Sequence, residues 1–276
     1  MADQPTVTLN SGATMPQLGF GVFQVPLEET SAAVTTALEA GYRSIDTAAM
    51  YGNEEGVARA LAGSGLPRDD LFITTKLNND AHGYDEALKA FEQSRSKLGL
   101  EFVDLYLIHW PLPAKDRYVD TWRAFAKLQQ DGLVRSIGVS NFQPAHLERL
   151  IEETGVVPAL NQIELHPFLT QQAVREFDAT HKIATEAWSP IAKGGALLED
   201  PVITSLAEKY GKSPAQIVIR WHLDVGNVVI PKSVTPQRIR DNFDVFDFEL
   251  DTDDIAAVSD LNRDERTGPD PDRFNP

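Results

Sequence analysis

The chain has 276 residues, of which 42% are hydrophobic and 24% charged, and this composition excludes a disordered or fibrous protein. Its 25 basic and 41 acidic residues give a formal net charge of −16, which disfavours binding to nucleic acid or to an anionic membrane. The absence of cysteine excludes disulfides, thiolate-bound zinc, iron–sulfur clusters and a cysteine nucleophile. No apolar run approaches the ~20 residues that cross a bilayer, so the sequence predicts a cytoplasmic protein without membrane partners.

Short apolar or β-branched segments alternate with longer amphipathic segments along the chain. A hairpin is predicted over residues 7–16, with its turn at Asn10, Ser11 and Gly12. The eight strands predicted after it span residues 18–21, 44–46, 71–76, 103–109, 134–140, 159–164, 182–188 and 227–230. The predicted helices span residues 27–40, 54–62, 84–98, 118–130, 144–154, 170–180, 200–225 and 236–243. Residues 211–214 are expected to divide the helical stretch 200–225, residues 253–261 to add a helix, and residues 262–276 to form a tail.

This alternation predicts a single α/β domain over residues 1–276, in which eight strand–helix units close into a (β/α)₈ TIM barrel with an N-terminal hairpin. A doubly wound sheet is the alternative, because the order of the elements does not show that the sheet closes. In a barrel the chemistry lies at the C-terminal ends of the strands. The residues that end each predicted strand are therefore the candidates for a site.

Four side chains suited to acid–base chemistry end or follow three successive strands: Asp46, Tyr51, Lys76 and His109. A free tyrosine has a pKa of about 10, too high for efficient proton donation near neutral pH, and a neighbouring ammonium lowers that pKa. We therefore expect Lys76 to lower the pKa of Tyr51 and Asp46 to hold Lys76 charged. A neutral His109 would donate a hydrogen bond to a substrate oxygen. Singly, each residue is more often a solvated charge, a helix cap or a buried histidine, but the four together favour a shared site for a carbonyl compound.

A cofactor site is indicated by a local excess of positive charge. The Gly-x-Gly-x-x-Gly fingerprint of dinucleotide-binding folds is absent from the sequence. Phosphate sites in barrels commonly use the loops after strands seven and eight, here residues 188–195 and 230–240. The second loop brings Lys232, Arg238 and Arg240 into nine residues of an otherwise acidic chain. These cations predict an anionic ligand, and the alternative is a helix N-terminal turn with ordinary surface cations.

Four segments then identify a resemblance: GYRSIDTAAMYGNE from Gly41, LIHWP from Leu107, IGVSNF from Ile137 and IPKS from Ile230. In this order they resemble the signature segments of the aldo-keto reductase superfamily, most closely its short bacterial members that include the 2,5-diketo-gluconate reductases. The resemblance covers nearly the whole chain, as far as the tail motif RTGPDP at residues 266–271. It implies a barrel that reduces aldehydes or ketones with NADPH by hydride transfer to the carbonyl carbon.

The resemblance also implies roles for individual residues. Asp46, Tyr51, Lys76 and His109 match the catalytic tetrad, with Tyr51 as proton donor. Ser140, Asn141 and Gln162 match the residues that hold the nicotinamide carboxamide, Trp188 the residue that stacks on the nicotinamide ring, and Lys232, Ser233 and Arg238 those that bind the 2′-phosphate. The other implied cofactor residues are Ser189, Ile191, Gly194, Val234, Thr235, Asp241 and Asn242. Asp241 stands where the family usually has glutamate, one methylene longer.

The expected substrate pocket is lined by Phe23, Tyr51, His109 and Trp110. Many relatives carry tryptophan soon after the catalytic lysine, whereas this chain has Asn78 in that segment. The missing aromatic wall predicts a preference for small or hydroxylated carbonyl compounds, such as methylglyoxal or keto-sugar acids, over large steroids.

Two other classes of function remain open from the residues alone. Lys76 at a strand end could be the nucleophile of a Schiff-base lyase, or the protein could bind NADPH without catalysis. The histidines show no metal-ligand spacing, so no metal is predicted, and His166 is interpreted as structural. The protein is expected to be a monomer whose partner is a small carbonyl substrate.

Overall fold

A computed structural model describes residues 4–276, and a parallel barrel forms its centre. The strands are β1 Thr6–Thr8, β2 Thr14–Pro16, β3 Phe20–Gly21, β4 Ser44–Asp46, β5 Phe72–Leu77, β6 Val103–Ile108, β7 Val134–Ser140, β8 Leu160–Glu164, β9 Ala184–Trp188 and β10 Val228–Val229. Strands β3 to β10 form one sheet in sequence order, and each pair of neighbours is parallel. The predicted order of eight strands is confirmed.

The sheet closes on itself at its first and last strands. Leu18 forms a parallel bridge with Val229. The amide of Gly19 donates to the carbonyl of Val229 at 2.9 Å, and the amide of Val229 donates to the carbonyl of Gln17 at 2.9 Å. Because these bonds join β10 to the start of β3, the barrel is the correct architecture and the doubly wound alternative is wrong.

Ten α-helices surround the barrel within residues 4–276. They are α1 Leu27–Ala40, α2 Glu54–Gly63, α3 Tyr84–Leu98, α4 Tyr118–Gln130, α5 Pro144–Thr154, α6 Gln172–Thr180, α7 Pro201–Tyr210, α8 Pro214–Asp224, α9 Pro236–Phe243 and α10 Thr252–Ser259. The predicted division of residues 200–225 is confirmed, because Gly211 ends α7 in the left-handed conformation and Ser213 begins α8 with a capping box to Gln216. None of these helices combines the length and apolar character that a membrane crossing requires.

Several predicted elements begin later than the sequence pattern indicated, and two of them do so because of a local backbone conformation. The predicted strand 182–188 starts at Ala184, because Lys182 has a φ of 58° and belongs to the turn after α6. The predicted helix 170–180 starts at Gln172, because Gln171 has a φ of 46°. Both residues lie in the left-handed region, which neither a strand nor a right-handed helix accommodates.

Apolar packing closes the N-terminal end of the barrel and leaves the other end for a site. The hairpin β1–β2 places Leu9 and Met15 in a buried cluster with Leu105, Leu107 and Leu160 of the barrel strands. The larger core lies between the sheet and the helices. The predicted hairpin is thus confirmed, and the polar strand ends gather at the opposite rim.

Candidate active site

The four predicted catalytic residues lie together at the C-terminal rim of the barrel. Asp46 ends β4, Lys76 lies near the end of β5, and His109 directly follows β6. Tyr51 belongs to the single turn of 3₁₀ helix after β4. Asp46 is 3% exposed, Lys76 0% and His109 6%, so three polar groups are buried at one place.

Lys76 is the centre of this cluster. Its Nζ donates to Asp46 Oδ1 at 2.5 Å, to the carbonyl oxygen of Thr47 at 3.0 Å and to the hydroxyl of Tyr51 at 3.3 Å. Burial lowers the pKa of Lys76, but Asp46 and Tyr51 together outweigh burial, so the pKa lies above its usual value. A lysine held as an ammonium by three acceptors is not a nucleophile, which contradicts the Schiff-base alternative.

Tyr51 keeps its proton in this environment. Burial raises its pKa above the usual value and outweighs the lowering by Lys76. The ammonium of Lys76 does lower the pKa of Tyr51, as expected, but burial raises it by more. The prediction of a lowered pKa for Tyr51 is therefore wrong. Tyr51 presents a neutral phenol hydroxyl, the form that gives up a proton.

His109 lies beside Tyr51 as a neutral imidazole. The two ring centroids are 5.6 Å apart with an interplanar angle of 75°. Burial, and then the charge of Lys76, lower the pKa of His109 well below its usual value. A neutral imidazole retains one N–H, so His109 is able to donate a hydrogen bond to an oxygen that also faces Tyr51.

A second cluster of amide, hydroxyl and indole groups adjoins His109. Asn141, with a φ of 65°, follows the last residue of β7 and donates from Nδ2 to the carbonyl of His109 at 2.9 Å and to Ser140 Oγ at 3.1 Å. Trp188, at the end of β9, donates from Nε1 to Asn141 Oδ1 at 2.8 Å. The structure thus brings together Ser140, Asn141 and Trp188, which lie on two different strands and a loop.

Gln162 connects this cluster to the carboxylate of Asp46. Its Nε2 donates to Asp46 Oδ2 at 2.9 Å and to Glu186 Oε2 at 2.7 Å. Glu186 is fully buried, and its pKa is raised to about 8 by burial and then by Asp46. Glu186 was not predicted from the sequence, in which the only signal is one acidic residue within the strand segment 182–188.

The predicted phosphate-binding residues lie on the loop before α9 and in the first turn of that helix. Lys232, Val234, Thr235 and Arg238 are exposed, and the amide of Thr235 donates to Ser233 Oγ at 3.1 Å. Farther along α9, Asn242 is buried. Asp241 is half-buried, and its Oδ1 accepts a bond from Gln237 at 2.7 Å.

The remaining predicted cofactor residues lie on the loop after β9. The amide of Ala192 donates to the carbonyl of Ser189 at 2.9 Å, and the amide of Gly194 donates to the carbonyl of Ile191 at 2.7 Å. Ser189 has a φ of 48° and Gly194 a φ of 83°. The loop therefore makes two successive tight turns beside Trp188.

These donors fit the two ends of an NADPH molecule. The carboxamide requires hydroxyl and amide partners, which Ser140, Asn141 and Gln162 supply from buried positions. A phosphate requires cations, which Lys232 supplies from an exposed loop and Arg238 from the first turn of α9.

The expected substrate residues surround the rim above Tyr51. The ring of Phe23 is 49% exposed and lies 5.0 Å from that of Tyr51. Trp110 is buried, and its ring centroid lies 4.5 Å from that of Phe274 in the C-terminal tail. Phe274 was missed by the sequence analysis, because nothing local indicates where a tail packs. Asn78 caps a short turn by accepting from the amide of Asn79 at 2.8 Å.

Within residues 4–276 no three His, Asp or Glu side chains are grouped so as to hold a metal ion. His166 is fully buried and lies with Nε2 3.1 Å from Glu164 Oε1. Glu164 also accepts hydrogen bonds from the amides of Thr267 and Gly268 in the C-terminal tail, so this contact helps to attach the tail.

Comparison with known proteins places the chain in a family. The sequence model of the aldo/keto reductase family matches residues 16–263. Methylglyoxal reductase DkgA of Escherichia coli K12 is 56% identical over 275 residues, which cover 99% of both chains. An aldo-keto reductase of Mycolicibacterium smegmatis is 58% identical over 271 residues, or 98% of both chains.

Two solved structures share the fold. An aldo/keto reductase from Brucella melitensis is 58% identical, with a TM-score of 0.92 and coverage of 95% of this chain and 99% of that one. A mutant of Gox0644 in complex with NADPH is 50% identical, with a TM-score of 0.95 and coverage of 99% of both chains. The chain belongs to the aldo/keto reductase family and is an NADPH-dependent oxidoreductase that reduces carbonyl compounds.

Proposed function

We propose that Tyr51 is the proton donor of this reductase and that Asp46, Lys76 and His109 prepare it for the reaction. One observation carries the proposal: the ammonium of Lys76 donates both to Asp46 and to the hydroxyl of Tyr51. The hydroxyl oxygen that must become negative therefore already faces a buried positive charge. Stabilising charge as it develops in a site closed to water is a large contribution to catalysis.

Bound NADPH supplies the hydride that reduces the carbonyl carbon. The substrate oxygen would lie between the hydroxyl of Tyr51 and the imidazole of His109, where it accepts a hydrogen bond from each. As the carbonyl becomes an alcohol, the oxygen takes the proton of Tyr51, and the phenolate that forms is stabilised by Lys76. Asp46 keeps Lys76 charged throughout, and water restores the proton of Tyr51 after the alcohol leaves.

The cofactor contacts proposed for this chain divide into two groups. Ser140, Asn141 and Gln162 would hold the carboxamide, and the indole of Trp188 would stack on the nicotinamide ring. Lys232, Ser233 and Arg238 would bind the 2′-phosphate. The further proposed contacts are Ser189, Ile191, Gly194, Val234, Thr235, Asp241 and Asn242.

The proposed substrates are small or hydroxylated carbonyl compounds, with methylglyoxal and keto-sugar acids as the leading candidates. Asn78 leaves a polar edge where an aromatic wall would exclude hydroxyl groups, and Phe23 lies exposed at the opening. The name of the Escherichia coli relative as a methylglyoxal reductase agrees with this size class. We also propose a cytoplasmic monomer that does not bind nucleic acid, in keeping with a net charge of −16 and the absence of cysteine.

The test is NADPH oxidation by the purified protein across methylglyoxal, 2,5-diketo-gluconate, xylose, benzaldehyde and a bulky apolar ketone. We expect kcat/KM to be highest for one of the first two. The highest value for the bulky ketone would contradict the proposed substrate class. Binding of NADPH without oxidation of it by any member of the panel would favour the non-catalytic alternative.

A further inference from the structure

The C-terminal tail, residues 262–276, lies across the catalytic rim of the barrel. Near its start, the amide of Arg263 donates to the carbonyl of Phe168 at 3.2 Å, in the loop that follows β8. Near its end, Asn275 Oδ1 accepts from the amide of Ala114 at 2.9 Å. The motif at residues 266–271 lies between these two attachments and takes no part in the chemistry described above.

A buried carboxylate holds the middle of the tail. Glu164, the last residue of β8, is 1% exposed. Its Oε1 accepts from the amide of Thr267 at 2.5 Å and from the hydroxyl of Thr267 at 2.7 Å, and its Oε2 accepts from the amide of Gly268 at 3.0 Å. Burial raises the pKa of Glu164, but the bonds from His166, Thr267 and Gly268 outweigh burial and hold that pKa below its usual value. Glu164 is therefore an ionised anchor for the tail.

This anchor places Gly268 against Trp188. A Cβ atom added to Gly268 would lie 2.5 Å from Trp188 Cη2, closer than real carbon atoms approach, and would crowd Glu164 Oε2 at 3.1 Å and Trp188 Cζ3 at 3.3 Å. The backbone of Gly268 lies outside the left-handed region, so its conformation does not require glycine. Glycine is needed at this position because a side chain would collide with the indole ring of Trp188.

The indole of Trp188 is consequently held at both ends. Its Nε1 donates to Asn141 Oδ1 at 2.8 Å, and the far edge of its six-membered ring packs on Gly268. A further bond joins the same part of the tail to the loop after β9, since Lys193 Nζ donates to the carbonyl of Thr267 at 3.0 Å.

We propose that Glu164 and Gly268 are positioning residues through which the tail braces Trp188 for cofactor binding. The proposal rests on the stacking role given to Trp188 above. The tail would then act on the nicotinamide as well as covering the rim. Because coupling between two sites is reciprocal, bound NADPH would in turn hold the tail in place.

The first test compares NADPH dissociation constants, measured by quenching of tryptophan fluorescence, in Gly268→Ala and wild type. We expect the constant to rise about 10-fold or more, because the methyl group displaces the indole. Gly63→Ala is the matched control, since an added Cβ at Gly63 meets no atom within 4 Å. Unchanged NADPH binding by Gly268→Ala would overturn the inference.

Glu164→Gln is a second variant, for the case in which Gly268→Ala folds poorly. A glutamine at this place keeps the size of the side chain but turns an amide donor towards one of the tail donors. We expect weaker NADPH binding, about 3- to 10-fold, with kcat at saturating NADPH within about 2-fold of wild type. Equal loss of kcat with no change in NADPH binding would contradict a role in positioning Trp188.

Trp188→Ala separates the inference from the proposed function on which it rests. We expect this variant to bind NADPH weakly and to lose the effect of NADPH on the tail. In the wild type we expect bound NADPH to slow trypsin cleavage after Arg266. Mass spectrometry of digests with and without NADPH measures this effect. If Trp188→Ala binds NADPH normally, the stacking role itself is wrong and the inference fails with it. If Trp188→Ala weakens binding and Gly268→Ala does not, only the inference fails.

Discussion

The two ends of the proposed cofactor site differ in how they are built. The nicotinamide end consists of Ser140, Asn141, Gln162 and Trp188, and the first three side chains are at most 3% exposed. Hydrogen bonds connect these four residues to one another, to the carbonyl of His109 or to Asp46. At the phosphate end, formed by Lys232, Ser233 and Arg238, both cations are exposed. The chemistry needs atoms held in place before the substrate arrives, whereas selection of a phosphate needs only charge within reach.

This difference predicts that substitutions at the two ends affect different measurements. Changes beside the nicotinamide end should alter turnover, the stability of the buried network, or the affinity for NADPH and NADH alike. Changes at the phosphate end should alter the affinity for NADPH relative to NADH.

The largest effect is expected from Tyr51→Phe. The substitution removes the hydroxyl that Lys76 contacts at 3.3 Å and leaves the ring in place. Loss of a general acid lowers turnover by about 10²- to 10⁴-fold. Steady-state kinetics should show this loss in kcat, while the NADPH dissociation constant stays within about 2-fold. Tyr84→Phe, at an exposed tyrosine, is the control, and parallel loss of turnover and NADPH binding would refute the role of Tyr51.

Arg238→Ala tests the phosphate end. A hydrogen bond to a charged group contributes about 1.5–3 kcal/mol, so the variant should bind NADPH about 10- to 150-fold more weakly. NADH lacks the 2′-phosphate, and its dissociation constant should change little. Arg240→Ala, two residues along the same helix and also exposed, is the matched control. An unchanged preference for NADPH in Arg238→Ala would show that the phosphate binds elsewhere.

Glu186→Gln tests the buried network through the pH dependence of stability. The native pKa of about 8 lies above the usual value of 4.5, so between these values the native carboxyl keeps a proton that the unfolded chain has released. This group therefore makes the wild type lose stability as the pH rises from about 4.5 to 8. The glutamine variant has no such group. Urea unfolding should show its free energy of unfolding rising relative to wild type by about 1–2 kcal/mol between pH 5.5 and 7.5.

Glu208→Gln, at an exposed glutamate, is the control for this experiment and should show no such pH trend. Asp178, whose pKa is also raised to about 8, is present in both proteins and cancels in the difference. A difference between Glu186→Gln and wild type that stays constant with pH would mean that Glu186 is ionised in the native protein.

The smallest effect is expected from Asp241→Glu. The added methylene restores the side-chain length usual in the family at this place. The new contact is one hydrogen bond at a partly exposed position, where the net contribution is about 0.5–1.5 kcal/mol, so NADPH binding should tighten about 2- to 10-fold. Asp253→Glu on the exposed face of α10 serves as the control. Weaker binding by Asp241→Glu would mean that the present contact of Asp241 with Gln237 is the one the site needs.

Much of the site was predictable because it lies at strand ends. Asp46, Lys76 and His109 each end or follow a strand that the pattern of apolar residues identifies, and a barrel collects such ends at one rim. Glu186 and Glu164 were not predictable in the same way. Their roles depend on partners far away in the sequence: Gln162 lies 24 residues from Glu186, and Thr267 lies 103 residues from Glu164.

The pKa of Tyr51 shows the same limit. The sequence correctly predicts that Lys76 lowers it, because Tyr51 closely follows one strand and Lys76 lies near the end of the next. Whether that lowering prevails depends on how deeply the phenol is buried, and burial prevails. Desolvation is a property of everything that surrounds a group, so no local motif carries it.

The sequence by itself determined the order of strands and helices and placed Asp46, Tyr51, Lys76 and His109 at or after strand ends, because periodicity and strand-end position are local properties. Only the tertiary structure decided that the sheet closes between Leu18 and Val229, that Glu186 joins the catalytic network and that the tail reaches Trp188 through Glu164 and Gly268. These are contacts between distant segments. They arise when the whole barrel is packed, and the identity of neighbouring residues does not specify them.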